Sequence, residues 1–81
     1  MDAVLKAVTP LPDYRLELRF QNGSCAVVNL ERRVGTLRFA PLAPPGVFAT
    51  ARAEGDRVVW QAGETPFRVY CAELLDAMLM D

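Results

Sequence analysis

The stretch Tyr14-Arg15-Leu16-Glu17-Leu18-Arg19-Phe20 alternates strictly between apolar and charged side chains. A period of 2 fits a β-strand with one buried and one wet face and does not fit a helix. Asn22-Gly23 follows at once and supplies the positive φ that a tight hairpin turn needs. Cys25 to Leu30 is then the returning strand. Two registers compete. A two-residue loop pairs Leu16 with Asn29 and buries an amide, which costs roughly 1–3 kcal/mol without a partner. A three-residue loop with a bulge at Gly23 pairs Phe20 with Ser24, Leu18 with Ala26, Leu16 with Val28 and Tyr14 with Leu30. It leaves Asn29 outside and Ser24 at the solvent rim, so the bulged register is expected.

The remaining segments arrange themselves around this hairpin. Val4 to Val8 reads as a short strand that ends before Pro10 and Pro12, because proline removes a ladder donor. Glu31 to Val34 makes a turn of helix closed by Gly35. Leu37, Phe39 and Leu42 are expected anchors in irregular chain broken by Pro41 and Pro44-Pro45-Gly46. Val47–Ala53 and Arg57–Gln61 read as strands of a second hairpin around Glu54-Gly55-Asp56. Ala62–Pro66 is expected as a loop and Phe67–Tyr70 as a last strand. Cys71–Met80 is the one good helix, with Leu74, Leu75, Met78 and Leu79 on a stripe. The predicted fold is α+β: one domain over residues 1–81, a mostly antiparallel sheet of about five strands built from two β-hairpins, and a C-terminal helix packed on it. The expected core is Val4, Val8, Leu16, Leu18, Phe20, Val28, Leu30, Phe39, Leu42, Phe48, Val59, Trp60, Leu74, Leu75 and Met78.

Composition limits the chemistry. The 81 residues include no His, which excludes Ser-His-Asp and Cys-His pairs and imidazole metal ligands. The formal charge of −1 argues against binding polyanions through bulk charge. Cys25 and Cys71 make no CxxC and are read as small core residues of a reducing cytoplasm, a single disulfide being the alternative. Neither a signal peptide nor a membrane span is read from the sequence, so a cytoplasmic protein is expected.

In order, the chain carries Leu-Pro-Asp-Tyr-x-Leu-x-Leu-x-Phe-x-Asn-Gly over residues 11–23, Val28-Asn29-Leu30, Phe39-x-Pro-Leu, Phe48, Val59-Trp60-x-x-Gly63 and Glu73-Leu74-Leu75. This ordered set resembles the small bacterial domain family of unknown function numbered 2442 (DUF2442). Asn22 stands where that family has a turn Asp, and Asn29 where it has an Asp before the leucine. The second change removes a carboxylate. The resemblance implies a small α+β domain, found alone or ahead of a helix-turn-helix segment. Some members are similar to proteins encoded beside small partners in toxin–antitoxin-like pairs. No catalytic residues and no cofactor come with it.

Three functional readings follow. The first is a non-catalytic protein-interaction module that self-associates or binds a small partner protein. An exposed edge strand is its natural pairing site, and Phe67, Tyr70 and Met80 form an apolar surplus expected at an interface. The second is a nucleic-acid or regulatory module using Arg15, Arg19, Arg32, Arg33 and Arg38, with Arg32 and Arg33 as phosphate contacts. Glu17, Glu31 and the neutral total favour a solvated mixed-charge face instead. The third is a small-ligand protein or enzyme with a pocket near Trp60. Its plainer counterpart makes Trp60 a core residue and Gly63 a turn with positive φ. Among Glu17, Glu31, Glu54, Glu64 and Glu73 no spacing fixes a catalytic pair, and Ser24 has no base beside it.

Overall fold

The computed structural model describes residues 4–80, with side chains through residue 76. Six strands form two antiparallel three-stranded sheets. The first sheet holds β1 (Leu5–Leu11), β2 (Arg15–Phe20) and β3 (Cys25–Asn29) in that order, and the second holds β4 (Arg52–Glu54), β5 (Arg57–Ala62) and β6 (Thr65–Tyr70). Between them lie two 3₁₀ turns, Arg33–Gly35 and Ala40–Leu42, and the one-turn helix α1 (Pro45–Phe48). Helix α2 (Cys71–Met80) follows β6 without a loop. The α+β class therefore holds, with the strands divided between two sheets. The long connection from β3 to β4 separates them, and they meet where the Leu5 amide donates to the Gly55 carbonyl at 2.8 Å.

The β2–β3 register is the bulged one. Leu16 faces Val28, Leu18 faces Ala26 and Arg19 faces Cys25. Gly23 has φ 90°, and its amide donates to the Phe20 carbonyl at 3.0 Å. The Asn22 side-chain oxygen accepts from the Ser24 amide at 2.9 Å and locks the turn. Asn29 caps the other end, its side-chain oxygen accepting from the Glu31 amide at 2.9 Å.

Leu16, Leu18, Phe20 and Val28 from the first sheet, with Leu30 just past β3, join Val58, Trp60 and Val69 from the second in one buried cluster. Phe39, Leu42 and Phe48 enter it from the connection and Cys71 and Leu74 from α2. Leu5, Val58 and Val69 are core residues absent from the sequence expectation, whereas Cys71 is buried as expected. Val59 is buried, but alternation turns it away from Val58 and Trp60, and it lies outside that cluster. Leu75 and Val8 are half-buried against the cluster. The Met78 and Met80 side chains lie outside the described residues.

Several expectations are corrected. β1 runs through Pro10, which pairs with Leu16. β1 is a sheet edge, so the donor missing at Pro10 leaves no ladder bond broken. Val4 is 37% exposed and lies ahead of the strand. Leu37 is 96% exposed, so only Phe39 and Leu42 anchor that segment. Residues 45–48 are helical, so Val47 and Phe48 lie in a helix where a strand over 47–53 was expected, and the strand itself is only Arg52–Glu54. Pro45 occupies the first turn, where its fixed φ favours helix and its missing N–H costs nothing. The expected loop at 62–66 shrinks to the two-residue turn Gly63-Glu64, because Thr65 pairs with Ala62. Cys25 is exposed, not buried, and both cysteines are free.

Candidate functional site

Four strands lie at sheet edges, and three of them carry features that discourage pairing. β1 has Lys6, Pro10 and a bulge between Leu5 and Ala7. β4 is three residues long and carries Arg52 and Glu54. β6 carries Pro66 and Arg68. Charges, prolines, bulges and shortness are how natural sheets blunt their edges. β3 has none of these: from Phe20 to Leu30 no residue is charged and none is proline.

The register sets what that edge presents. The Phe20 amide donates to the Ser24 carbonyl at 2.9 Å, and the Leu30 amide donates to the Tyr14 carbonyl at 2.8 Å. Antiparallel bonding alternates, so Ala26 and Val28 spend their backbone groups on β2. The N–H and C=O groups of Cys25, Val27 and Asn29 therefore point away from β2. Among the described residues, β3 pairs with no strand other than β2. The same three residues send their side chains to the outer face, where Cys25 and Asn29 are exposed and Val27 is 48% exposed. Beside them on that face stand Arg15, Glu17 and Arg19 of β2. The inner face of β3 is consumed by the core, where Val28 and Leu74 of α2 share the buried cluster.

A second concave feature is a cleft of about 460 Å³ lined by Pro10, Leu11, Pro12, Asp13, Tyr14, Pro45, Phe48 and Ala49. Asp13 and Tyr14 on its wall are left-handed, at φ 63° and 60°. The Tyr14 hydroxyl donates to the Ala43 carbonyl, and its ring meets Phe48 edge-on at 5.2 Å. Backbone strain of this kind collects at functional sites. Sequence reasoning missed the cleft because its prolines read only as strand breakers.

The residues singled out from sequence are dispersed. Trp60 is fully buried, so it lines no pocket; it packs 6.3 Å from Phe48 and 5.9 Å from Phe67. Its indole N–H has no hydrogen-bond partner among the described residues. Gly63 turns with φ 68°. Phe67 is half-buried against Phe39 and Trp60, so most of its apolar surface serves the core. Tyr70 is 58% exposed under the Arg57 guanidinium. Met80 lies outside the described side chains.

Arg15, Arg19, Arg38, Arg57 and Arg68 face carboxylates. Arg19 pairs with Glu17 at 3.1 Å and Arg15 approaches Asp13 at 3.9 Å. Arg38 grips Glu73 with two nitrogens, at 3.1 and 2.5 Å. Its pKa is raised by that hydrogen bond and by the Glu73 charge. Arg32 is exposed and Arg33 half-buried at the 3₁₀ turn after β3. Among the described residues no helix is long and apolar enough to cross a membrane. No protein-family model, no curated protein and no solved structure matches this chain.

Proposed function

We propose that this chain is a non-catalytic protein-interaction module that takes its partner at the open edge of β3. The observation that carries the reading is the contrast among the edges: three are blunted, and the uncharged, proline-free β3 is not. Its partner adds a strand, with main-chain hydrogen bonds supplying affinity and Val27 a small apolar contact. The reading agrees with the resemblance to family 2442 and with a partner encoded beside the chain, in the manner of toxin–antitoxin-like pairs. The pairing of Arg15, Arg19 and Arg38 with acids supports it over nucleic-acid binding.

The test combines light scattering on the purified chain with co-expression of the adjacent gene's product. Wild type is expected to self-associate or to retain that product, and Val27→Lys to do neither. A wild-type chain that stays monomeric and retains nothing overturns the reading.

A second reading rests on the cleft lined by Pro10, Tyr14, Pro45 and Phe48, whose volume and apolar lining suit a small organic ligand. Phe48 lies against Trp60, so an aromatic fragment bound there is expected to shift Trp60 emission and raise the thermal midpoint. A fragment set that moves neither removes it.

A further inference from the structure

We infer that the occupant of the β3 edge is a second copy of this chain, paired antiparallel about a two-fold axis at Val27, an inference that rests on the edge reading above. The argument begins with self-complementarity. Cys25, Val27 and Asn29 are the residues whose backbone groups face outward, and they are spaced evenly about Val27. Placing Val27 opposite Val27 of the second copy sets Cys25 opposite Asn29 on both sides of the axis. All three outward residues then exchange both their N–H and C=O bonds, about six hydrogen bonds along the seam. A shift of one residue breaks this match, because the outward groups recur only every second residue.

Side chains agree with the backbone. On the outer face Val27 of each copy forms the centre of the seam, and the part-exposed apolar surface of each covers the other. Cys25 beside Asn29 places no charge against another. The nearest like charges in a row are Arg15 with Arg19 of the second copy and, across the axis, Glu17 with Glu17 of the second copy. They stand three strand spacings apart, roughly 14 Å, which exceeds the Debye length of about 8 Å at physiological salt. An edge with no charge of its own offers nothing with which to select a partner of complementary charge. It fits its own copy without repulsion. The product is a continuous six-stranded sheet.

Five paired residues make an interface at the small, transient end of the size range, so association is expected to be weak, roughly micromolar or above in dissociation constant. An uncharged seam makes it insensitive to salt. Sedimentation velocity of the full chain from micromolar to millimolar concentration reads both properties. Val27→Lys puts two ammonium groups opposite each other at the axis and is expected to weaken association at least tenfold. Val27 is part-exposed on the outer face, so unchanged circular dichroism and thermal midpoint show that the variant still folds.

Register is read separately with Asn29→Cys. In the inferred pairing the new thiol lies about 5.5 Å by Cα from native Cys25 of the second copy, within disulfide reach. Mild oxidation is expected to give a covalent dimer. Wild type is expected to give none, because its two Cys25 residues stand roughly 13 Å apart. A dimer indifferent to Val27→Lys overturns the inference, and the edge reading falls with it if retention of the neighbour's product is equally indifferent. A chain monomeric at every concentration that still retains its neighbour's product, and loses it with Val27→Lys, overturns only the self-pairing. Wild-type cross-linking through Cys25 overturns the register.

Discussion

Asp13 and Tyr14 hold left-handed backbone at φ 63° and 60°. That conformation costs a side-chain-bearing residue roughly 1–2 kcal/mol. Tyr14 offsets the cost through its hydroxyl bond to Ala43 and its ring contact with Phe48. Asp13 is exposed, and Asp is one of the few side-chain-bearing residues that visit this region as single residues. Asp13→Asn is expected to leave stability unchanged, whereas Asp13→Val should cost about 1–2 kcal/mol in urea unfolding. The two cysteines divide in the same residue-level way. Burial first, then the nearby Asp56 charge, raises the Cys71 pKa from 9.0 to about 11. The folded state therefore holds its proton where the unfolded chain has lost it. Stability from this group is full below pH 9 and is lost as pH rises through about 11. A thermal midpoint that falls between those values in wild type, and falls less in Cys71→Ala, checks it. A thiol reagent at pH 8 should label Cys25 quickly and Cys71 only on unfolding.

At the scale of elements, the β2–β3 hairpin was legible in faces and register, although Tyr14, expected in the strand, stands in the 3₁₀ turn before it. Alternation from Tyr14 to Phe20 defined the faces, and the cost of burying Asn29 selected the register. Both signals are local. α2 was legible for the same reason, since its stripe repeats within one segment. The expected strand at 47–53 was not legible correctly, because Val47 and Phe48 suit either state and Pro44-Pro45 acted as a helix start. Glycines test these assignments. Gly23 at φ 90° has open space around it, so Gly23→Ala is expected to cost about 1 kcal/mol from conformation alone. Gly46 sits inside α1 with ordinary φ and equal space. Gly46→Ala should therefore stabilise, by roughly 0.4–1 kcal/mol. Chemical denaturation of the pair gives opposite signs.

In the whole molecule, both sheets, the connection and α2 share one buried cluster. Leu74 is fully buried within it and ties the C-terminal helix to the first sheet. Leu74→Ala is expected to cost about 2–5 kcal/mol, a cavity-forming loss large for a domain of this size. Trp60→Phe should cost less, because it also removes an indole N–H left without a partner. The candidate edge belongs to this scale. The absence of charge from Phe20 to Leu30 is plain in the sequence, but it gains meaning only where β3 lies outermost. Phe67 and Tyr70 show the converse. They were read together as surplus, and packing separated them into a core neighbour of Trp60 and an exposed ring.

By itself, the sequence determined the hairpin, its register, the terminal helix and the α+β class. Each follows from interactions between residues close along the chain, where periodicity and turn chemistry act. Tertiary structure alone decided that the strands divide into two sheets, that Pro10 can stand in a strand, that Leu37 is exposed, and that β3 is left at an open edge. Those outcomes depend on which segments meet across the chain, and no local pattern encodes which backbone groups remain without a neighbour once the core has closed.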